Sequence, residues 1–326
     1  MKLQILIPQY EETEEIVAPL LKSIEIQQGI DVANDVGVII ANDGSDVLLS
    51  DEFINSFPFE VQYIKKEHRG VSATRNACLD AATADYVMFC DADDMFFNSI
   101  GLWMVFHEME GEGFDVLVSA FVEQTKNPEN GELVFINHEM DSTFVHGKFF
   151  RRKYLMNKQI RWNDNLTIHE DSYFNALAQR LTPSVKYAQQ PFYLWRWRDA
   201  SVCRHDPKYI LKTYNNMLES STALAKELMA RDLTTEAQFY ITSMIYDAYY
   251  MMNKDEWLNQ ENKEYRDKTE RRFKEYYLEF EGLFKFISQS AKQQIIMGMK
   301  NRFFNEGMFL ESITFDDWIK HIKELD

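Results

Sequence analysis

Basic residues are scarce in this chain. Its 35 lysines and arginines face 52 aspartates and glutamates, a formal net charge of −17. A surface built to hold a polyanion carries the opposite excess, so nucleic acid is not an expected partner. Cysteine is rarer still. Cys78, Cys90 and Cys203 are an odd number at wide spacing. They make neither a disulfide framework nor a zinc pattern, and they fit a reduced, cytoplasmic setting. Long apolar runs are also missing. No stretch approaches the ~20 residues that cross a bilayer, and the apolar part of "MKLQILIPQYEE" is too short for a signal peptide. The expectation is a soluble protein with no transmembrane segment. Peripheral contact with the inner face of the membrane stays open.

What the chain has in quantity is core-forming material. Of 326 residues, 45% are hydrophobic and 14% aromatic, enough for one large or two medium domains. The first part alternates. "LQILIPQ", "VGVIIAND", "EVQYIKK", "DYVMFCD" and "FDVLVSAFV" read as strands. Between them, residues 11–28 carry Ile16, Val17, Leu20, Leu21 and Ile24 at helical spacing. "VSATRNACLDAA" reads as a second helix, with Ala73, Ala77 and Leu79 inward. Strands separated by helices imply βαβ units and a mostly parallel α/β sheet. From about residue 208 glycine and proline thin out. Long helical patterns follow in "YNNMLESSTALAKELMA", "FYITSMIYDAYYMM" and "RRFKEYYLEFEGLFKFI". The expected organisation is an α/β domain over 1–207 and an all-helical domain over 208–326.

In a parallel sheet, ligands gather at the carboxyl ends of the strands. "PQY", "NDGSD" and "CDADD" each follow an expected strand, so they should share one edge. In "VMFCDADDMFF", Asp91, Asp93 and Asp94 crowd together behind an apolar run. Carboxylates this close repel, and a divalent cation resolves the repulsion. Hard oxygen ligands suit Mg²⁺ or Mn²⁺. The plain alternative is an acidic turn opening a helix at Met95. Asp43 in "NDGSD" could accept a hydrogen bond from a base N–H, as uracil offers, or could be turn chemistry. In "HRGVSATRN", Arg69 and Arg75 could face a diphosphate, with Gly70 allowing close approach. Equally, Arg75 and Asn76 could be a structural link to the aspartate loop. Glu170 and Asp171 open the amphipathic pattern of "IHEDSYFNALA". An acid there caps a helix or serves as a general base. Trp195 and Trp197 could stack on a sugar face or fill the core. His205 could be a metal ligand or a phosphate contact.

Five pieces in order resemble the family 2 inverting glycosyltransferases, which have the GT-A fold. They are "ILIPQYEE", "IIANDGSD", "KKEHRGVSATRNACLDAATADYVMFCDADD", "VHGKFFRRKYL" and "IHEDSYF". The resemblance covers roughly residues 3–205 and points to members that build bacterial or phage surface glycans. It implies a GT-A catalytic domain, a UDP-sugar donor, and Mn²⁺ or Mg²⁺ as cofactor. Pro8 and Tyr10 would line the base pocket and Asp43 would contact uracil. Arg75 would sit near the base or diphosphate, Asp91 on the ribose side, and Asp93 on the metal. Asp171 would be the catalytic base. Two departures stand out. The family often has two acids where this chain has Asn42 and Asp43, and "YLWRWRDAS" does not match the Q-x-x-R-W motif of processive members.

The resemblance implies transfer of a hexosyl or N-acetylhexosaminyl group, with inversion, to a hydroxyl of a glycan, glycolipid or wall polymer. The helical domain would bind that acceptor or form a homo-oligomer. One competing class is the sugar-nucleotide nucleotidyltransferase. It usually carries a glycine-rich basic loop near the N-terminus, and "LIPQYEETEE" has neither feature. The other is a non-catalytic glycan- or nucleotide-binding module. The joint presence of Asp91, Asp93 and Asp171 argues against it.

Overall fold

The computed structural model describes residues 1–127, 129–199, 206, 208–305 and 313–325. The chain forms two compact units, 1–201 and 202–326. Among the described residues, the first is built on a nine-stranded sheet. Its strands are β1 (Leu3–Gln9), β2 (Val36–Asp43), β3 (Glu60–Lys66), β4 (Tyr86–Phe89), β5 (Met95–Phe96), β6 (Val116–Lys126), β7 (Leu133–His138), β8 (Lys148–Arg151) and β9 (Val185–Trp195). Their spatial order is β3-β2-β1-β4-β8-β6-β9-β5, with β7 paired to β6.

The first half of the sheet has the expected parallel order. β1 pairs parallel with β2 and β4, and β2 with β3. These central strands are apolar on both faces. Leu3, Ile5, Leu6, Ile7, Ile39 and Ile40 are all fully buried, as strands covered by helices on each side must be. Pro8 falls just past the last β1–β4 rung, Leu6 to Phe89, so its missing N–H costs the ladder nothing. The other half is mixed. β8 runs antiparallel to β4 and β6, and β7 and β5 are antiparallel to their partners. Only β6 and β9 are parallel there. No helix opens at Met95. That residue starts the two-residue strand β5, clamped against Leu194.

The second unit is helical. Its longest helices are Tyr209–Ala230, Thr234–Met252, Lys263–Phe286 and Gln289–Asn305, with Phe315–Glu324 near the end. The aromatic face of "RRFKEYYLEFEGLFKF" is core: Phe273, Tyr276, Tyr277, Phe280 and Phe284 are buried, and Phe273 packs on Trp318 at 4.9 Å between ring centroids. A buried acid, Asp247, is satisfied by the Tyr214 hydroxyl and the Arg302 guanidinium, each at 2.8 Å. No described helix is long and apolar enough to cross a membrane.

Candidate active site

β1, β2 and β4 run in parallel, so the segments after Gln9, Asp43 and Phe89 leave the sheet on one edge. Asp43 closes β2 and lies in register with Lys66 of β3. The Lys66 ammonium donates to one Asp43 oxygen. The backbone N–H groups of Arg69 and Gly70 reach the two carboxylate oxygens at 2.9 and 2.8 Å. Burial opposes the Asp43 charge, yet Lys66 and the Arg69 N–H hold its pKa below the usual carboxylate range. Asp43 therefore ties the loop before the helix Val71–Ala81 to the end of β2. Asn42, beside it, is also a loop-builder. Its side chain joins Gln9, the Val47 carbonyl and the Ser45 N–H. Above this floor Tyr10 is half exposed, its ring 4.8 Å from that of His68.

The three acids after β4 have three environments. Asp91 accepts a 2.9 Å bond from Arg75 Nη2. Asp93 accepts a 2.8 Å bond from Arg198 Nη1. Each keeps about a third of its side chain exposed, 33% and 31%. Asp94 points inward and is buried. It accepts from the Tyr193 hydroxyl and, at 2.9 Å, from the Arg196 N–H. Burial first, then the charges of Asp93 and Asp91, pushes its pKa well above the ordinary value. The repulsion within the cluster is thus answered by two arginines and by burial of the third acid.

Arg75 is the hub. It is 3% exposed. Its Nη1 donates to Glu170 at 2.9 Å and to Asp171 at 2.8 Å, while Nη2 holds Asp91. Its guanidinium lies 4.4 Å over the Trp162 ring, which stacks on Phe174 at 4.2 Å. Glu170 and Asp171 form the first turn of the helix Glu170–Arg180, entered through His169 in the left-handed region at φ 62°. Asp171 also accepts the Val145 N–H at 3.0 Å, so both its oxygens are held. Burial, followed by the charge of Asp171, pushes Glu170 up to about 7. Burial likewise raises Asp171, against the pull of Arg75. The segment carrying Val145 is pinned from below. Fully buried Lys148 donates to the Phe144 carbonyl, and burial lowers its pKa to about 8.

Of the residues singled out from sequence, Asp91, Asp171 and Arg75 meet directly. Asp93 lies beside them on Arg198, and Asp43, Pro8 and Tyr10 stand along the same strand edge. Arg69 contributes its backbone N–H to Asp43, and its side chain lies 3.7 Å from Asp164. Asn76 bonds Asp164 and the Trp162 carbonyl rather than the aspartate loop. Trp195 packs against the core and on His146. Trp197 donates to Asp199 under the Lys126 ammonium. His205 lies outside the described residues. Sequence reasoning did not assign Arg198, Lys148, Tyr193 or His146, although His146 and Lys148 lie within "VHGKFFRR". Among the described residues, Asp91, Asp94 and His146 form a group whose ligand atoms lie within 4.8 Å of one another. A set rich in carboxylate fits a hard divalent ion, with one imidazole tolerated.

The class of protein follows from this fold and site. Residues 4–180 match the sequence model of glycosyl transferase family 2. The chain belongs to that family and has a GT-A fold. It is 26% identical over 250 residues to the glycosyltransferase GlyA of Streptococcus pneumoniae, covering 69% of this chain and 35% of that protein. With EpsJ of Bacillus subtilis, described as an uncharacterized glycosyltransferase, it shares 24% identity over 213 residues, 59% of this chain and 60% of the other. The chain thus spans less than two thirds of either relative. Among solved structures, S. aureus TarS in complex with UDP superposes with a TM-score of 0.61 at 15% identity, covering 96% of this chain and 94% of that one. TarS has also been solved with UDP-GlcNAc. At such identity the likeness speaks for the fold.

Proposed function

We propose that this chain is a metal-dependent, inverting glycosyltransferase that moves a sugar from a UDP-sugar to a hydroxyl of a glycan, glycolipid or wall polymer. One observation carries the reading: a single buried guanidinium, Arg75, joins an acid of the strand-end cluster to the acid pair of the helix Glu170–Arg180. Donor-side and acceptor-side chemistry are thereby held at one point. The UDP complexes of TarS, a protein of similar fold, favour the same donor class.

The roles follow from position. Tyr10 offers a half-exposed ring to a planar base, beside the Asp43 loop. Asp91 and Asp93, the open acids of the cluster, would hold Mn²⁺ or Mg²⁺, with His146 in reach of Asp91; His205 is a further candidate. When bound, such an ion supplies positive charge beside a diphosphate on which negative charge grows. Arg198 and Arg75 add fixed positive charge at the same edge. A carboxylate oxygen of Asp171 takes the proton of the acceptor hydroxyl as that oxygen attacks the anomeric carbon. The bond from that carbon to the diphosphate oxygen breaks, and UDP leaves with the electron pair. Attack from the face opposite UDP inverts the anomeric centre. Held by Arg75 and the Val145 N–H, Asp171 is fixed in orientation, which a general base requires. A second assignment has its own support: Glu170, with a pKa near 7, is poised where a base works best. Residues 1–207 would carry the chemistry, in the cytoplasm, and 208–326 would bind acceptor or self-associate.

The test is release of UDP from UDP-glucose, UDP-galactose and UDP-GlcNAc, with Mn²⁺ and with EDTA. Slow, Mn²⁺-dependent release from one of them is expected, with no pyrophosphate exchange. Proton NMR of the transferred sugar should show the inverted anomer. Release from none of the three, or exchange with pyrophosphate, contradicts the proposal.

A further inference from the structure

A cleft of about 630 Å³ opens between the helix Gly101–Glu110 and residues 29–35. Its volume lies within the roughly 300–1,000 Å³ of ligand sites. Lys2 and Asp35 line it, and they immediately precede β1 and β2. The cleft is therefore at the amino ends of the strands, on the edge opposite the acids, one strand length or about 20 Å away.

Trp103 stands in this cleft with 49% of its surface exposed. It is not loose. Gly29 has φ +78°, and a Cβ there would come 2.7 Å from Trp103 Cδ1. The glycine lets the indole pack against bare backbone. One turn on, the His107 ring lies 14° from parallel at 6.2 Å. A lone apolar side chain on a surface needs no explanation. A rigid indole left wet inside a cleft, and ringed by hydrogen-bond acceptors, has the form of a sugar platform. A pyranose has an apolar C–H face that an indole covers, and hydroxyls that carboxylates bind strongly.

The charges select among glycans. Lys2 is the cation of the cleft, and it is already neutralised by Glu110 at 2.8 Å and Asp35 at 3.5 Å. Asp31 adds a further negative charge. An acidic polymer would be repelled.

We propose that this cleft is a second glycan-binding site, taking a neutral or amino-bearing sugar stacked on Trp103. It rests on the glycosyltransferase reading in one respect: the bound sugar belongs to the acceptor chain, gripped at a distance from the reacting end. A second grip raises avidity for a long acceptor by effective concentration.

The test is a glycan array of neutral, amino and acidic oligosaccharides probed with the full chain. Some neutral or amino glycan should bind. That signal should fall at least tenfold in Trp103→Ala and severalfold in Glu110→Gln, and persist in Trp103→Phe. UDP-sugar hydrolysis should stay within twofold in all three. Binding only to acidic glycans, binding to none, or binding that Trp103→Ala does not weaken overturns the proposal. If hydrolysis is absent from the wild type while Trp103-dependent binding persists, the transfer reading fails and the site stands.

Discussion

Arg75 donates to Asp171 over 2.8 Å from a guanidinium that is almost wholly buried. The same side chain also pairs with Glu170 and Asp91. Breaking a buried ion pair by removing one partner is far costlier than the net worth of the pair, because uncompensated charge is left behind. Arg75→Met should therefore destabilise the protein by about 3–5 kcal/mol, read as a shift in urea unfolding. Arg75→Lys should fall between, since one ammonium cannot fork to three carboxylates. A loss below about 1 kcal/mol for Arg75→Met would mean that the acids find other partners.

Asp171→Asn keeps the size of the side chain and removes the basic oxygen, leaving one acceptor oxygen for the two donors, Arg75 and the Val145 N–H. Transfer should drop about 10²- to 10⁴-fold in kcat, with UDP affinity unchanged by calorimetry. Glu170→Gln should cost less than tenfold. The reverse ranking would make Glu170 the base.

Glu170 also predicts a pH dependence of stability. Its pKa is raised from 4.5 to about 7 in the folded protein. The folded state then binds the proton more tightly than the unfolded chain does. The stability this contributes is fully present below about 4.5 and lost as pH rises through about 7. Glu170→Gln lacks this loss. Its stability relative to wild type should grow between pH 4.5 and 8, by on the order of 3 kcal/mol. Urea melts at the two pH values measure it, and a gap that is flat or shrinks with pH contradicts it.

Gly44 follows Asp43 at φ +76°, where a Cβ would lie 2.5 Å from the His68 backbone nitrogen. That nitrogen cannot give way without moving the loop that Asp43 fastens. Gly44→Ala should cost about 1–3 kcal/mol and weaken UDP binding together with stability. An alanine variant with unchanged melting temperature and UDP affinity would remove the Asp43 loop from the account.

The centre of the parallel half was readable because β1, β2 and β4 are apolar runs cut off by turn residues. "VGVIIAND" stops just before Gly44, and "LQILIPQ" ends one residue past Pro8. The mixed half, β6 apart, lacks such marks. β7 exposes Leu133, Val134, Phe135 and Ile136, β5 is two residues long, and β9 is only partly buried until Phe192. This gap hid His146. Its approach to Asp91 depends on β8 pairing antiparallel with β4, Met88 to Phe149. Arg75 was visible as a diphosphate contact or a link to the aspartates, and the link is what forms. Its bonds to Glu170 and Asp171 span 95 and 96 residues, which no local pattern encodes. The fate of Asp94 was equally hidden. A carboxyl aimed into the core beneath Tyr193 looks, in sequence, the same as one aimed at solvent.

The most direct measurement is calorimetric titration of UDP into the protein with Mn²⁺ present and with Mn²⁺ chelated, for wild type and Asp93→Ala. Strong binding with the ion, at least tenfold weaker binding without it, and loss of that difference in Asp93→Ala is the predicted result. Equal affinity in Mn²⁺ and EDTA, or Mn²⁺-dependent binding that survives Asp93→Ala, would contradict it.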